Sequence, residues 1–321
     1  MTRGFVGVIS AWVALMCGAP ELASSEEPAG YLLGLPPGAR AIAMSAAQGA
    51  IAEDADAGYW NPAALAFIEP NHAASFTYSR LEVFQDLDYP FVFAAYSERI
   101  ERLQGAVAVS FGYFDLGRRE TSFPGPAESF RPYELAPGLA YGGRVTDDFA
   151  VGVGFKMYRI DYSPDSDPSY EDNTILFDTG ALWRGMDSRL LIGGSIQNLG
   201  PDLELGEDGE SYPVARNLKL ATGARLVDLE AAQLLVACDL NIPLAGEGSP
   251  GLMAGGEMRV GDHAAMRIGV RYFDEVPENA QTYDISIGFG VRAKGFVFDY
   301  ANAPRWAFVP NSHYFTVGAR F

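Results

Sequence analysis

The sequence predicts an all-β fold: a transmembrane antiparallel β-barrel of about fourteen strands with a short N-terminal helical or loop plug. Three observations predict it. An apolar/polar alternation of period two recurs from residue 71 to the C-terminus. The connections between the alternating stretches sort into long and short by turns. An apolar N-terminal run reads as an export signal.

The export signal comes first. Arg3 precedes the apolar run Phe5 to Met16, and polar residues follow from Glu21 to Glu27. The run is shorter than the roughly 20 residues of a spanning helix. Residues 1–25 are therefore assigned to a signal peptide, with cleavage near Ala23-Ser24-Ser25. An N-terminal anchor helix is the alternative, and Met16 before Cys17 fits lipid attachment poorly. Removal of Cys17 leaves Cys238 as the one thiol. That excludes an internal disulfide framework and a cysteine metal cluster.

Residues 26–70 interrupt the alternation. Within them Gly38 to Ala66 is rich in Ala and Gly and has no long apolar run. Ala39 to Ala52 reads as a short helix, because Ala, Met, Gln and Ile favour one. Asn61-Pro62 suits a helix start, with Asn61 as cap and Pro62 in the first position. A short turn over Ala63–Ala66 then leads to the first strand. Arg40, Glu53 and Asp54 are expected to pair with charges inside the barrel, and Tyr59 and Trp60 to wedge against its wall. Filling the lumen is the plain role for this plug; gating or binding is the alternative.

Residues 71–321 read as the barrel. The strands fall near 72–80, 89–98, 104–114, 133–144, 148–159, 174–184, 188–198, 214–226, 231–240, 250–261, 263–272, 283–292, 294–301 and 312–321. Each is close to the roughly 9–11 residues that a tilted strand needs to cross hydrocarbon. In the last but two, Tyr283, Ile285, Ile287, Phe289 and Val291 share one face, and Asp284, Ser286, Gly288, Gly290 and Arg292 the other. The apolar face meets lipid, and the small or charged face lines the lumen. Lys156, Asp178, Lys219, Arg225, Asp239, Glu257, Arg259, Arg267, Arg271, Asp284, Arg292 and Asp299 then face inward. On the lipid face each would cost about 2–4 kcal/mol at mid-depth. Inside, they are expected to form a salt-bridge lattice, with a selectivity role as the alternative.

The connections give an independent signal. Those over 115–132, 160–173, 199–213, 241–249, 273–282 and 302–311 are long, whereas Val145-Thr146-Asp147 and Gly185-Met186-Asp187 are short. A soluble sandwich has no reason to sort its loops by parity. A membrane barrel does, with short turns toward the periplasm and long loops outside. Phe149, Trp183, Tyr272 and Tyr283, near strand ends on the apolar face, suit the two membrane interfaces.

The final stretch, His313 to Phe321, alternates and ends on an aromatic. Phe315, Val317 and the terminal Phe321 share the lipid side, an arrangement similar to the assembly signal of bacterial outer-membrane barrels. Chemistry-bearing motifs are missing. The three histidines, His72, His263 and His313, have no metal-ligand spacing and no serine elbow beside them. Gly152-Val153-Gly154 and Gly288-Phe289-Gly290 lie inside strands with no helix following, so they are not dinucleotide fingerprints. There, small residues are expected to admit the plug or the opposite wall. A net charge of −18 argues against nucleic acid. No cofactor, metal or enzymatic activity is expected.

The ordered segments carry a resemblance. Gly38-Ala39-Arg40-Ala41, Met44, Ala52-Glu53-Asp54-Ala55 and Tyr59-Trp60-Asn61-Pro62-Ala63 resemble the N-terminal signature of the PorV/PorQ family, within the FadL-like barrels. Ser195-Ile196-Gln197-Asn198-Leu199-Gly200 is similar to its central segment. Gly295 to Tyr300 and the His313 to Phe321 strand are similar to its ending. Family members often carry Gly where this chain has Ala43, Ser45, Ala46 and Ala64, so the plug backbone is expected to differ there. The resemblance implies a Gram-negative outer-membrane protein with both termini periplasmic, contacting the lipid bilayer, lipopolysaccharide and the barrel-assembly machinery. It implies a binding or shuttle role for exported proteins in a type IX-like pathway. The alternatives are a FadL-like channel for a hydrophobic ligand, gated by the plug, and a structural barrel with neither activity.

Overall fold

The computed structural model describes residues 28–84, 87–120, 128–164, 168–246, 248–272, 283–306 and 309–321. The signal peptide over 1–25, with Cys17, lies outside the described residues, as does the connection over 273–282.

Fourteen strands close into one antiparallel barrel. In chain order they begin with β1 (His72–Phe84), β2 (Leu87–Ile100) and β3 (Gly105–Asp115). Two short strands, β4 (Arg119–Glu120) and β5 (Ser129–Phe130), pair with each other inside the next loop. The wall continues with β6 (Tyr133–Arg144), β7 (Phe149–Asp161), β8 (Glu171–Gly185) and β9 (Leu190–Leu199). A second loop ribbon, β10 (Leu203–Leu205) with β11 (Glu210–Tyr212), follows. Then come β12 (Asn217–Leu229), β13 (Ala232–Pro243), β14 (Gly251–Val260), β15 (Ala264–Tyr272), β16 (Tyr283–Ala293), β17 (Phe296–Trp306) and β18 (Val309–Arg320).

Closure removes every sheet edge, which is what a strand needs where no water can satisfy its backbone. The seam is β1 against β18, from Ala73↔Arg320 to Arg80↔His313. Just beyond it the His72 N–H donates to the Phe321 carbonyl at 2.8 Å, and the Phe321 N–H returns the bond at 2.9 Å. Their rings stack at 5.4 Å. The terminal aromatic thus finishes the seam at the rim that carries the short turns.

Alternation holds along the wall. In β15 Met266, Ile268 and Val270 are exposed, while Ala265 and Arg267 are buried. In β7 Val151, Val153, Phe155 and Met157 face out, and Ala150, Gly152, Gly154 and Tyr158 face in. The outward apolar side chains meet hydrocarbon rather than water. Phe149 lies opposite Trp183 near the short-turn rim, and Tyr272 opposite Tyr283 near the long-loop rim. These two pairs mark the two interfaces.

Three elements differ from the sequence reading. The long connection expected over 302–311 is strand: β17 and β18 pair as far as Trp306↔Val309. β12 begins at Asn217 rather than 214, since Val214 to Arg216 belong to the preceding loop. The helix expected over Ala39–Ala52 stops after five residues, giving α1 (Ala39–Ala43). Ser45 and Ala46 take positive φ of 52° and 65° and turn the chain away. The N–H groups of Gln48 and Gly49 then donate to Asp239 Oδ2 at 2.9 and 2.7 Å, which holds a turn where a helix would continue. The left-handed backbone at Ser45 and Ala46 is one that glycine adopts without penalty.

Candidate functional site

The candidate site is the barrel lumen and the segment that occupies it. Ala29 N donates to the Pro213 carbonyl at 2.8 Å, so the described chain starts at the long-loop rim. Phe321 is at the other rim; the two described ends do not share a side. Glu134, fully buried on β6, anchors this start. It accepts the Tyr31 N–H at 2.9 Å, the Leu32 N–H at 2.7 Å and the Tyr158 hydroxyl at 2.6 Å, with the Tyr162 hydroxyl as a fourth donor.

From there the segment descends past a 3-10 turn (Leu32–Gly34), α1, α2 (Ala57–Trp60) and a 3-10 helix (Pro62–Phe67) to β1. Asn61 caps the last of these: its Oδ1 accepts the Ala63 N–H at 3.1 Å, and Pro62 holds the first position. Asn61 Nδ2 also donates to the carbonyls of Gly49 and Ala181, tying two turns of the segment to β8. Wall glycines make the fit possible. A Cβ on Gly152 would lie 2.3 Å from the Pro62 carbonyl carbon, and one on Gly255 would lie 2.6 Å from the Met44 Cβ. Gly288, expected from its strand position to admit the plug, faces Ala43 in the same way. Gly290 meets the Asp299 and Arg267 side chains instead.

Charged side chains fix the segment toward the short-turn rim. Glu257 is fully buried and accepts from Arg40 Nε at 2.8 Å and Arg267 Nε at 2.5 Å, while Arg259 Nε stands 2.8 Å away as an ion pair. Arg267 continues to Asp299 at 2.6 Å. Glu53 pairs with Arg259 and lies 3.6 Å from Arg292, and Asp54 pairs with Arg320. Three wall strands, β14, β16 and β18, therefore grip the segment through guanidiniums, while Arg267 on β15 and Asp299 on β17 extend the cluster behind Glu257. Burial opposes the charge on Glu53, but Arg259, Arg40, Arg320 and Arg292 outweigh it and hold its carboxyl well below the usual range. Asp56 has no such ring of cations. Burial, reinforced by the neighbouring Asp54, pushes it up to about 7. Gly38, at φ +90°, fits beside Asp56 because a Cβ there would sit 2.5 Å from its Oδ2.

The aromatic pair lies higher. Trp60 is buried under the Lys219 ammonium at 4.9 Å, and Tyr59 packs edge-on to Phe93 at 5.7 Å. Gln197 donates to the Tyr59 carbonyl, and Ser195 to the Trp60 carbonyl at 3.3 Å. Here the β8–β9 register shifts between Phe177 and Thr179. Asn198, at φ 62°, turns its N–H to Asp178 at 2.7 Å, and Lys156 bridges both residues at 2.5 and 2.8 Å. The Gln-Asn-Leu-Gly stretch is thus where the wall bulges to hold the luminal segment.

The remaining residues singled out in the sequence sit elsewhere. Arg225 donates to the Ser188 carbonyl at 3.0 Å and is apart from the Glu257 cluster. Arg271 and Asp284 face each other across β15 and β16. Phe315, Val317 and Phe321 are exposed on the lipid side. His313, outward on β18, pairs with the Tyr300 hydroxyl at 2.8 Å. Sequence reasoning did not single out Glu134, Tyr158 or Arg320 for the segment's anchorage. The inward parity of each was available as a signal; its partner across the lumen was not.

Above the aromatic pair, Leu32, Leu33, Leu35, Phe91 and Phe93 line a cavity of about 40 Å³, with Lys156, Asp178 and Asp56 at its polar edges. An engineered cavity that takes up benzene measures roughly 150 Å³. This cavity is well below that size. Among the described residues no group of histidine, cysteine or carboxylate side chains could hold a metal ion.

The fold is that of solved transport barrels. The toluene transporter TodX of Pseudomonas putida superposes with a TM-score of 0.61 at 11% identity, over 91% of this chain and 99% of that one. The Ralstonia pickettii toluene transporter TbuX gives 0.57 at 15%, over 90% and 99%. A Pseudomonas aeruginosa FadL homologue gives 0.56 at 12%, over 91% and 99%. No curated protein matches by sequence. The family model described as type IX secretion system protein PorV matches residues 28–245, which include the whole luminal segment and the wall from β1 through β13. This chain is an outer-membrane β-barrel of the PorV family.

Proposed function

We propose that the protein is a membrane-embedded binding or shuttle component for proteins exported across or onto the outer membrane by a type IX-like route. The family match over residues 28–245 carries this reading. The held luminal segment supports it: buried guanidinium–carboxylate pairs and Glu134 fix that segment inside the barrel, which favours work at a surface. The long loops offer one. Asp161, Glu171, Asp202 and Glu204 cluster around the β10–β11 ribbon and the β7–β8 loop. With short turns toward the periplasm, this acidic rim faces outside. The partners are exported proteins there, the bilayer and lipopolysaccharide along the wall, and the barrel-assembly machinery during insertion. We take the protein to be non-catalytic.

Affinity capture of the tagged barrel from outer membranes, after brief cross-linking, tests this. Exported proteins sharing a sorting domain are expected in the eluate, and deletion of the gene should leave them undelivered. Recovery of none, with delivery unchanged, overturns the reading.

The second reading is a hydrophobic-substrate channel gated by residues 38–66. The apolar cavity under Leu32, Leu33 and Leu35 favours it, and TodX and TbuX are toluene transporters of the same fold. Liposome uptake of a monoaromatic probe that is unchanged on deleting residues 38–66 would sink the gating idea.

A further inference from the structure

At the short-turn mouth, the half of the rim formed by β2, β6, β8 and β12 differs from the half that grips Glu53. Arg144 and Arg184 both lie over the Phe67 ring, with guanidinium carbons 5.2 and 4.2 Å from its centroid. Arg225 is close enough to act electrostatically on Arg184, as Arg144 does. What these groups bond is mostly main-chain carbonyl. Arg144 Nε donates to Ala66 at 3.1 Å, Arg225 to Ser188 at 3.0 Å, and Arg99 nearby to Ile68 at 3.3 Å. Arg184 Nε is buried with no acceptor.

Among the described residues none of these four arginines forms an ion pair, whereas Arg259, Arg292 and Arg320 across the mouth all do. Glu69 and Glu53 act on Arg184 from a distance without bridging it. The acids of the adjacent turns, Asp147, Asp148 and Asp187, are exposed and pair with none of the four. Like charges gathered on one aromatic ring, with donors to spare, are electrostatically costly unless a counter-charge joins them. Guanidinium forks match the oxygens of a phosphate group in geometry and charge. All three are half-buried, so part of each reaches the mouth.

We propose that Arg144, Arg184 and Arg225 form an oxyanion site around Phe67, built to take a phosphate group entering from the short-turn mouth. The group comes either from a soluble phosphate compound or from a phospholipid head, and the chemistry of the site is the same for both.

The test is calorimetric titration of pyrophosphate into the intact barrel in dodecyl maltoside at low salt. Saturable binding near one per barrel is expected. It should weaken about tenfold or more in Arg184→Gln and in Arg144→Gln, as loss of a charge-assisted bond implies. Lys294→Gln, exposed on the β16–β17 turn of the same rim, should bind as wild type. Heat-modifiable gel mobility confirms that each variant is folded. Should Arg184→Gln fail to fold, Arg184→Lys keeps the charge, loses the fork and is expected to weaken binding. Absence of saturable binding in the wild type, or equal weakening in Lys294→Gln, overturns the site. Adding phosphatidylglycerol to the micelles separates the sources: competition with pyrophosphate assigns a lipid head, and its absence assigns a soluble ligand.

Discussion

Arg40 Nε donates to Glu257 Oε2 at 2.8 Å inside the barrel, joining residues 217 positions apart in sequence. Glu257 is fully buried and serves Arg259 and Arg267 as well. One carboxylate therefore joins three guanidiniums, one from the luminal segment and two from the wall, with Glu53 and Asp299 supplying the remaining counter-charge. Its value lies in what its removal would leave behind, because unpaired buried charge costs far more than a well-formed pair returns.

Glu257→Ala should therefore destabilise the barrel by roughly 3–5 kcal/mol. Glu257→Gln, which keeps shape and one acceptor, should cost less. Unfolding midpoints in urea, with the protein in detergent or lipid, measure this. Protease cleavage within residues 38–56 is expected to rise in Glu257→Ala before the strands unfold, because the segment loses its central bond first. A variant as stable as wild type, with the segment equally protected, would refute the account.

Gly255 and Gly256 make a paired test of how the segment seats. A Cβ on Gly255 meets the Met44 Cβ at 2.6 Å and its carbonyl oxygen at 2.8 Å, whereas nothing lies within 4 Å of one on Gly256. Gly255→Ala should cost about 1–3 kcal/mol through overpacking. Gly256→Ala, on the lipid face, should be neutral or mildly stabilising through the unfolded chain. Equal effects in urea titrations would show that the segment does not press on the wall.

Asp56 gives a pH dependence with a fixed sign. Its carboxyl ionises near 3.8 in the unfolded chain but only at about 7 in the folded one, because burial and Asp54 oppose its charge. Between those values the folded state binds more protons, so this group removes stability as pH rises. The advantage of Asp56→Asn over wild type should grow from pH 4 to pH 7 and level off above it. Glu53 acts in the opposite sense: the surrounding arginines depress its carboxyl, and its contribution is lost as acidification protonates it. Unfolding midpoints of wild type, Asp56→Asn and Glu53→Gln from about pH 2 to about pH 9 check both, the Glu53 loss falling at the acid end. A constant gap between Asp56→Asn and wild type would reject the shift.

Most of the wall was legible because a strand's two faces meet different solvents. Ile268 against Arg267, or Phe155 against Lys156, announces lipid on one side and lumen on the other within a single stretch. The parity of the connections gave the hairpins, and Asn61-Pro62 gave its cap from local chemistry alone. What failed was set by distant partners. The expected helix over Ala39–Ala52 is broken because Asp239, on β13, accepts the N–H groups of Gln48 and Gly49. The connection expected over 302–311 is strand instead, because β17 and β18 go on pairing to Trp306↔Val309 at the rim. Arg40, Glu53 and Asp54 were recognised as charges needing partners. That Glu257 would serve Arg40, Arg259 and Arg267 at once depends on register across β14 and β15, which no single stretch encodes.

Whether the luminal segment works by moving is decided by locking it. A Cβ on Gly58 would stand 3.5 Å from the Ala108 Cβ on β3, within the range for a disulfide. In a Cys238→Ser background, which removes the one other described thiol, Gly58→Cys with Ala108→Cys should cross-link α2 to the wall. Cβ contacts with Ala140 at 3.0 Å and Leu65 at 3.3 Å mean that the neighbours must give slightly, so the oxidised and reduced forms are compared in one variant. The segment is held at Glu134, at Asp239, by the Glu257 cluster and at Arg320, and displacing it would break all four anchorages together. Delivery of exported proteins by the oxidised form is therefore expected to match the reduced form. Loss of delivery on oxidation, restored by reductant, would show instead that the segment must move for the protein to work.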